Sequence, residues 1–209
     1  MKRALLIAGV VAAVVAATAG AAAVGLVSQK ISIFTKSLTR VTCTSATVSD
    51  DTYTDQFAPT SNFGTSTSLI ASAKSSKVQH AWIRFDLTPC SLPSGAQVDS
   101  ATLTLVPTAA SGRTIGAFRV TSTWSGSTLT WNTSPQPTVA ASATASTTIS
   151  TTGAKTWDVT LDVAAWVDGS ATNFGWRMSD TGASSNTGTT FSSSEAASNK
   201  PSLSITYVS

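Results

Sequence analysis

The strongest constraint on the fold is a two-residue apolar rhythm in short segments, each bounded by clusters of Gly, Pro, Asn or Ser. Successive side chains of a strand point to opposite faces, so alternation of this kind marks a strand with one buried side. In His80–Leu87 (HAWIRFDL) the set Ala81, Ile83, Phe85 and Leu87 points one way, and His80, Trp82, Arg84 and Asp86 point the other. Ala101–Val106 (ATLTLV) places Ala101, Leu103 and Leu105 opposite threonines. Asn173–Met178 (NFGWRM) directs Phe174, Trp176 and Met178 inward and Arg177 outward, and Ser202–Tyr207 (SLSITY) closes the chain with Leu203, Ile205 and Tyr207 inward. Separated segments with one apolar face each predict an all-β protein of two antiparallel sheets packed face to face.

One stretch departs from this rhythm. In Asp158–Gly169 (DVTLDVAAWVDG) Thr160 is placed to cap, Asp162 falls in the first turn, Val163, Trp166 and Val167 share a helical face, and Gly169 stops the run. A strand entering at Trp157 followed by one short helix across the end of the sandwich is expected. Arg119–Gln136 holds Trp124 and Trp131 among Ser, Thr, Gly and Asn, and both rings read as buried pins that fasten a loop to the core. Ala140–Gly153 is polar and of low complexity, a long loop or edge strand with little core contribution.

The two ends of the chain differ in charge. Lys2, Arg3, Lys30, Lys36 and Arg40 fall in the first forty residues with no acid, leaving eight bases against ten acids in residues 41–209. The overall charge of +3 therefore belongs to the N-terminal region, and the globular part has no basic footprint for nucleic acid. Met1-Lys2-Arg3 followed by an uncharged run from Ala4 to Val27 is an export signal. Residues 1–27 are expected to form a signal peptide or an N-terminal membrane anchor, 28–42 a basic connector, and 43–209 the folded domain. Membrane contact would come only through the N-terminal segment if it is not cleaved, and the product would be secreted or held at the cell surface. Cys43 and Cys90, the only cysteines, lack metal-binding spacing, and in an exported chain they are expected to form a disulfide.

Catalytic chemistry finds little support. His80 is the only histidine, and no GxSxG context accompanies it, which argues against a Ser-His-Asp triad. The ten acids include one adjacent pair, Asp50-Asp51, which reads as a turn or strand entry rather than a glycosidase pair. Asp50, Asp51 and Asp55 would serve as oxygen ligands for a structural calcium ion or, as the plainer expectation, as turn caps. No other cofactor is expected. Sugar recognition needs flat aromatic faces with a few polar or charged groups beside them. Trp82, with His80 and Arg84 on its face and Arg177 outward on another strand, fits that description; Arg113 and Arg119 are further candidates for a uronate carboxylate. The alternative is a covered second face, with Trp82 in a secondary core and Arg84 paired to Asp86. Exposure of Trp82 separates the two.

A family resemblance comes from blocks taken in order: Asp50-Asp51-Thr52-Tyr53-Thr54-Asp55, Ser61-Asn62-Phe63-Gly64, Ile83-Arg84-Phe85-Asp86-Leu87, Pro93-Ser94-Gly95-Ala96, Val120-Thr121-Ser122-Thr123-Trp124, Thr130-Trp131-Asn132, Trp166-Val167-Asp168-Gly169, Ser194-Glu195 and Lys200-Pro201-Ser202-Leu203. Over about residues 48–208 this resembles the DNRLRE domain family, which is similar to carbohydrate-binding modules that include alginate binders. Ser194 stands where that family often has an arginine, and Trp82 and Trp176 where it has smaller aliphatics. The resemblance implies a jelly-roll-like antiparallel β-sandwich that binds polysaccharide without catalysis. A structural or adhesive surface protein without a sugar ligand, capable of self-association, is the alternative it leaves.

Overall fold

The computed structural model describes residues 39–75 and 77–208. The expected leader and the connector up to residue 38 lie outside the described residues. Eleven strands follow in order: β1 (Arg40–Cys43), β2 (Thr47–Asp55), β3 (Ser68–Lys74), β4 (Lys77–Asp86), β5 (Gln97–Leu105), β6 (Thr114–Arg119), β7 (Ala145–Thr148), β8 (Lys155–Asp158), β9 (Trp176–Asp180), β10 (Gly188–Ser192) and β11 (Ser202–Val208). Helix α1 (Thr160–Val167) lies between β8 and β9. A four-stranded sheet runs β1-β11-β5-β8, and a seven-stranded sheet runs β10-β3-β4-β9-β6-β7 with β2 paired to β4. All the pairings are antiparallel. The expected all-β sandwich with one short helix is what the chain forms.

The apolar sets predicted from parity are the sandwich core. Ala81, Ile83, Phe85, Ala101, Leu103, Leu105, Met178, Leu203 and Ile205 are all essentially inaccessible to solvent, and Trp157, Trp176 and Phe191 fill the space between the sheets. The indoles of Trp157 and Trp176 are hydrogen-bonded as well as buried: Trp157 Nε1 donates to the carbonyl of Ile115 at 2.7 Å and Trp176 Nε1 to Asp162 Oδ2 at 2.7 Å. Cys43 at the end of β1 and Cys90 in a short 3₁₀ turn form the expected disulfide, their Cα atoms 5.5 Å apart. Arg40–Thr42, expected in the connector, belong to the sandwich because β1 pairs with β11 from Arg40↔Val208 onward.

Three local expectations are corrected. Phe174 does not share the inward face of Trp176: Gly175 has φ +74° and turns the chain, so β9 starts at Trp176 and Phe174 packs in a different cluster. A Cβ at Gly175 would meet the Ile83 carbonyl at 2.1 Å, so the turn and the close approach both require glycine. Ala140–Gly153 supplies edge strand β7, and just after it Ile149 is fully buried, its N–H donating to the Arg113 carbonyl at 2.8 Å. The N-cap of α1 is Val159 rather than Thr160. The Thr160 hydroxyl instead accepts from the Ala101 N–H at 2.9 Å, tying the helix start to β5.

Candidate functional site

The site lies on the face of the seven-stranded sheet that points away from the sandwich core. Register places Thr54, His80 and Ser179 side by side on β2, β4 and β9, and Thr52, Trp82, Arg177 and Phe118 in the adjacent row reaching β6. Over part of this face folds the segment between Val120 and Pro137. Trp82, Val120, Trp124 and Leu129 form a second buried cluster there, with Val139 and Phe174 packed against it.

The covering segment is fixed by polar contacts at several points. Trp124 Nε1 donates to the Phe174 carbonyl at 2.7 Å, and the Gly126 N–H donates to Asp50 Oδ1 at 2.8 Å. Asn62 Nδ2 donates to the carbonyls of Gly126 and Leu129 at 2.7 and 2.9 Å. Gln136 Nε2 donates to the carbonyls of Thr130, Trp131 and Thr133 and closes the turn that carries Trp131. A segment without regular structure is thus tied at several backbone groups along its path.

Trp82 is therefore not a stacking platform. It is 1% exposed, tilted against Trp124 with ring centroids 6.0 Å apart, and its Nε1 donates to Thr54 Oγ1 at 3.3 Å. The physical reason is the loop cover, which buries the outward ring just as the opposite sheet buries the inward ones. Arg84 is also committed, since Nη2 meets Asp50 Oδ2 at 3.1 Å and the guanidinium lies 5.5 Å from the Trp124 ring centre. Its partner is Asp50 rather than Asp86, whose carboxylate caps Thr88.

Trp82 thus takes the covered-face alternative, whereas Trp131 departs from its expected place. Trp131, predicted to be a buried pin, is half-buried and stacks on His80, with centroids 5.7 Å apart and planes 20° from parallel. His80 Nδ1 and Ser179 Oγ are 3.0 Å apart, and burial followed by the neighbouring Arg177 charge lowers the imidazole pKa to about 3. The ring is consequently neutral at physiological pH and offers one donor and one acceptor. Arg177 lies between two aromatic rings, 5.8 Å from the Trp82 centre and 5.4 Å from that of Phe118. Its Nε is buried without a hydrogen-bond partner, and burial lowers its pKa.

Arg177 differs from the other arginines. Among the described residues Arg40, Arg84, Arg113 and Arg119 each lie against a carboxylate, those of Asp99, Asp50, Asp180 and Asp162. Arg177 has no such partner. Arg113 and Arg119, the further uronate candidates, are thus already paired, while Arg177 and His80 from the predicted set lie beside Trp131 and the half-buried Phe118. Phe118 was accessible to parity: with Ile115 and Ala117 inward, it must point outward. Trp131 had no such signal, because its segment carries no period.

The aspartates proposed for calcium do not converge. Asp50 accepts from Gly126 and Arg84, Asp51 from the N–H and hydroxyl of Ser194 at 2.8 Å each, and Asp55 from Phe57 N–H and Gln79 Nε2 at 2.8 Å each. They act as turn and strand locks, and no cluster of three metal-ligating side chains occurs among the described residues. Ser194, at the position where the resembling family has arginine, supplies both of the Asp51 contacts.

A β-sandwich that presents a half-exposed indole, a neutral imidazole and a guanidinium without a counter-ion has the groups of a carbohydrate-recognising module. The chain belongs to carbohydrate-binding module family 96, whose model matches residues 42–207. That family is related to the one the sequence resembles but bears a different name, and its class is one of binding modules rather than catalytic domains. No curated protein matches the chain.

Proposed function

We propose that this protein is a non-catalytic, extracytoplasmic module that binds an acidic polysaccharide at the outer face of the seven-stranded sheet. The observation that carries the reading is Arg177. Holding a guanidinium partly out of water with no carboxylate beside it costs free energy, and an anionic ligand recovers that cost by charge-assisted hydrogen bonds. Trp131 supplies a ring face for stacking, His80 and Ser179 supply neutral hydrogen-bonding groups for hydroxyls, and Phe118 completes the apolar wall beside the guanidinium. Strands β4, β6 and β9 hold four of these side chains, so little ordering is needed on binding. The disulfide suits a product that folds outside the reducing cytosol.

Affinity electrophoresis of the purified protein against alginate, pectin, chitin and peptidoglycan tests the reading. Retardation by the uronate polymers that Arg177→Gln abolishes, with the variant no less stable than wild type, is the expected result. Equal mobility in every gel would overturn it.

A further inference from the structure

A second aromatic and basic feature stands apart from the Arg177 face. Phe57 is 76% exposed, the one aromatic ring among the described residues that is mostly open to solvent. An exposed ring on a mobile loop would mean little, but the backbone that carries this one is held. Its N–H donates to Asp55 Oδ1 at 2.8 Å, the Ala58 N–H donates to the Asp55 carbonyl at 3.2 Å, and the Gln56 N–H donates to the Val78 carbonyl at 3.0 Å. Further along the same loop the Pro59 carbonyl accepts from the Asn132 N–H at 2.9 Å.

Lys77 Nζ lies 5.7 Å from the centre of the Phe57 ring and 3.7 Å from Asp55 Oδ2. Lys74 is the direct cross-strand partner of Lys77 where β3 and β4 pair. Like charges directly opposite each other in an antiparallel pair are destabilising. Asp55 offsets this only in part, since its carboxylate also serves Gln79 Nε2 and the Phe57 N–H. The hairpin end therefore holds two ammonium groups, one shared carboxylate and one exposed apolar ring face.

We propose that Phe57, Lys74 and Lys77 form a second binding site for an anionic sugar residue. One face of the sugar ring stacks on Phe57, and its carboxylate or sulfate takes the lysine pair in place of a repelled neighbour. The site rests on the acidic-polysaccharide reading for its ligand class alone. Two sites on one module give a polymer two points of attachment and raise its apparent affinity above that of either site.

Backbone amide NMR shifts, followed during titration of the whole protein with a galacturonate trimer and separately with a sulfated galactose trimer, test this. Two groups of perturbed amides are expected with at least one ligand, one around Arg177, His80 and Trp131 and one around Phe57, Lys74 and Lys77. The trimer that acts identifies which anion is read. Phe57→Ala removes no core contact and should weaken the second group's apparent affinity about tenfold while leaving the first unchanged; Lys74→Gln should do so more mildly. Shifts confined to the Arg177 group, or a Phe57→Ala titration that matches wild type, would overturn the second site and leave the first intact. Shifts confined to the Phe57 group would support the second site and overturn the first, and no shifts with either trimer would overturn both.

Discussion

Truncating Trp82 and Trp131 separately tests the placement of the two rings. Trp82 is 1% exposed, leans on Trp124 and bonds Thr54 through its indole nitrogen. Removing a buried aromatic side chain costs about 3–5 kcal/mol, the larger value where the surroundings cannot collapse into the space. Collapse is restricted at this position because the covering segment is tied at Asp50, Asn62 and Phe174. Trp131 contributes one stacked contact with His80 on a partly exposed surface, worth about 0.5–1.5 kcal/mol. Trp82→Ala should therefore fall about 3 kcal/mol below Trp131→Ala in unfolding free energy, a large share of the roughly 5–15 kcal/mol that holds a domain folded. In melting temperature that difference is about 6–12 °C for a domain of this size. Urea unfolding followed by circular dichroism measures it, with equal slopes required before midpoints are compared. A Trp82→Ala protein within about 1 kcal/mol of wild type, or a larger loss in Trp131→Ala, would refute the placement of both rings.

Other consequences follow from single groups. Between pH 3 and 6.5 the His80 imidazole is protonated in the unfolded chain but not in the folded one, because burial and then Arg177 lower its pKa to about 3, so its contribution to stability rises with pH. Asp51 does the opposite: burial raises its pKa from 3.8 to about 6, the folded chain holds the extra proton between those values, and its contribution falls as pH rises. Each slope is at most about 1.4 kcal/mol per pH unit, so the wild-type urea midpoint should change little from about pH 4 to 6, while His80→Gln should fall and Asp51→Asn should rise; slopes of the same sign in the two variants would contradict this. Replacing Cys43 and Cys90 by serine should cost about 4 kcal/mol for releasing a sequence separation of 47 residues, and a urea midpoint unmoved by the change would argue against that loop-closure account. Asp162→Ala leaves the buried Trp176 N–H and the Thr144 hydroxyl without their acceptor and Arg119 without its counter-ion, so a loss of about 2–4 kcal/mol is expected by calorimetry, against near-neutrality if these contacts are incidental.

The strands were legible because each packs one face against one core, and alternation then writes burial into the order of residues. His80–Leu87 and Ser202–Tyr207 needed only that rule. The helix was legible for a similar reason, since Val163 and Trp166 recur at helical spacing and Gly169 ends the run with φ +80°. What parity cannot contain is a second layer outside the sheet. Trp82 points outward as read, yet whether outward means solvent depends on a segment about forty to fifty residues later that has no periodicity of its own. The same limit applies to charge pairing. Arg84 meets Asp50 across β2 and β4 and not Asp86 two residues away, because strand register decides the neighbour and sequence proximity does not. Arg177 could be placed on the outer face from sequence, but the absence of a carboxylate beside it appears only once the other described arginines have found theirs.

That difference between Arg177 and the other arginines bears the functional conclusion, and calorimetric titration of an oligogalacturonate into wild type and Arg177→Gln tests it most directly. A charge-assisted contact of about 1.5–3 kcal/mol predicts at least a tenfold weaker association for the variant at the outer-face site, with thermal unfolding no lower than that of wild type. Equal affinity of the two proteins at that site would contradict the assignment of the polysaccharide to the Arg177 face.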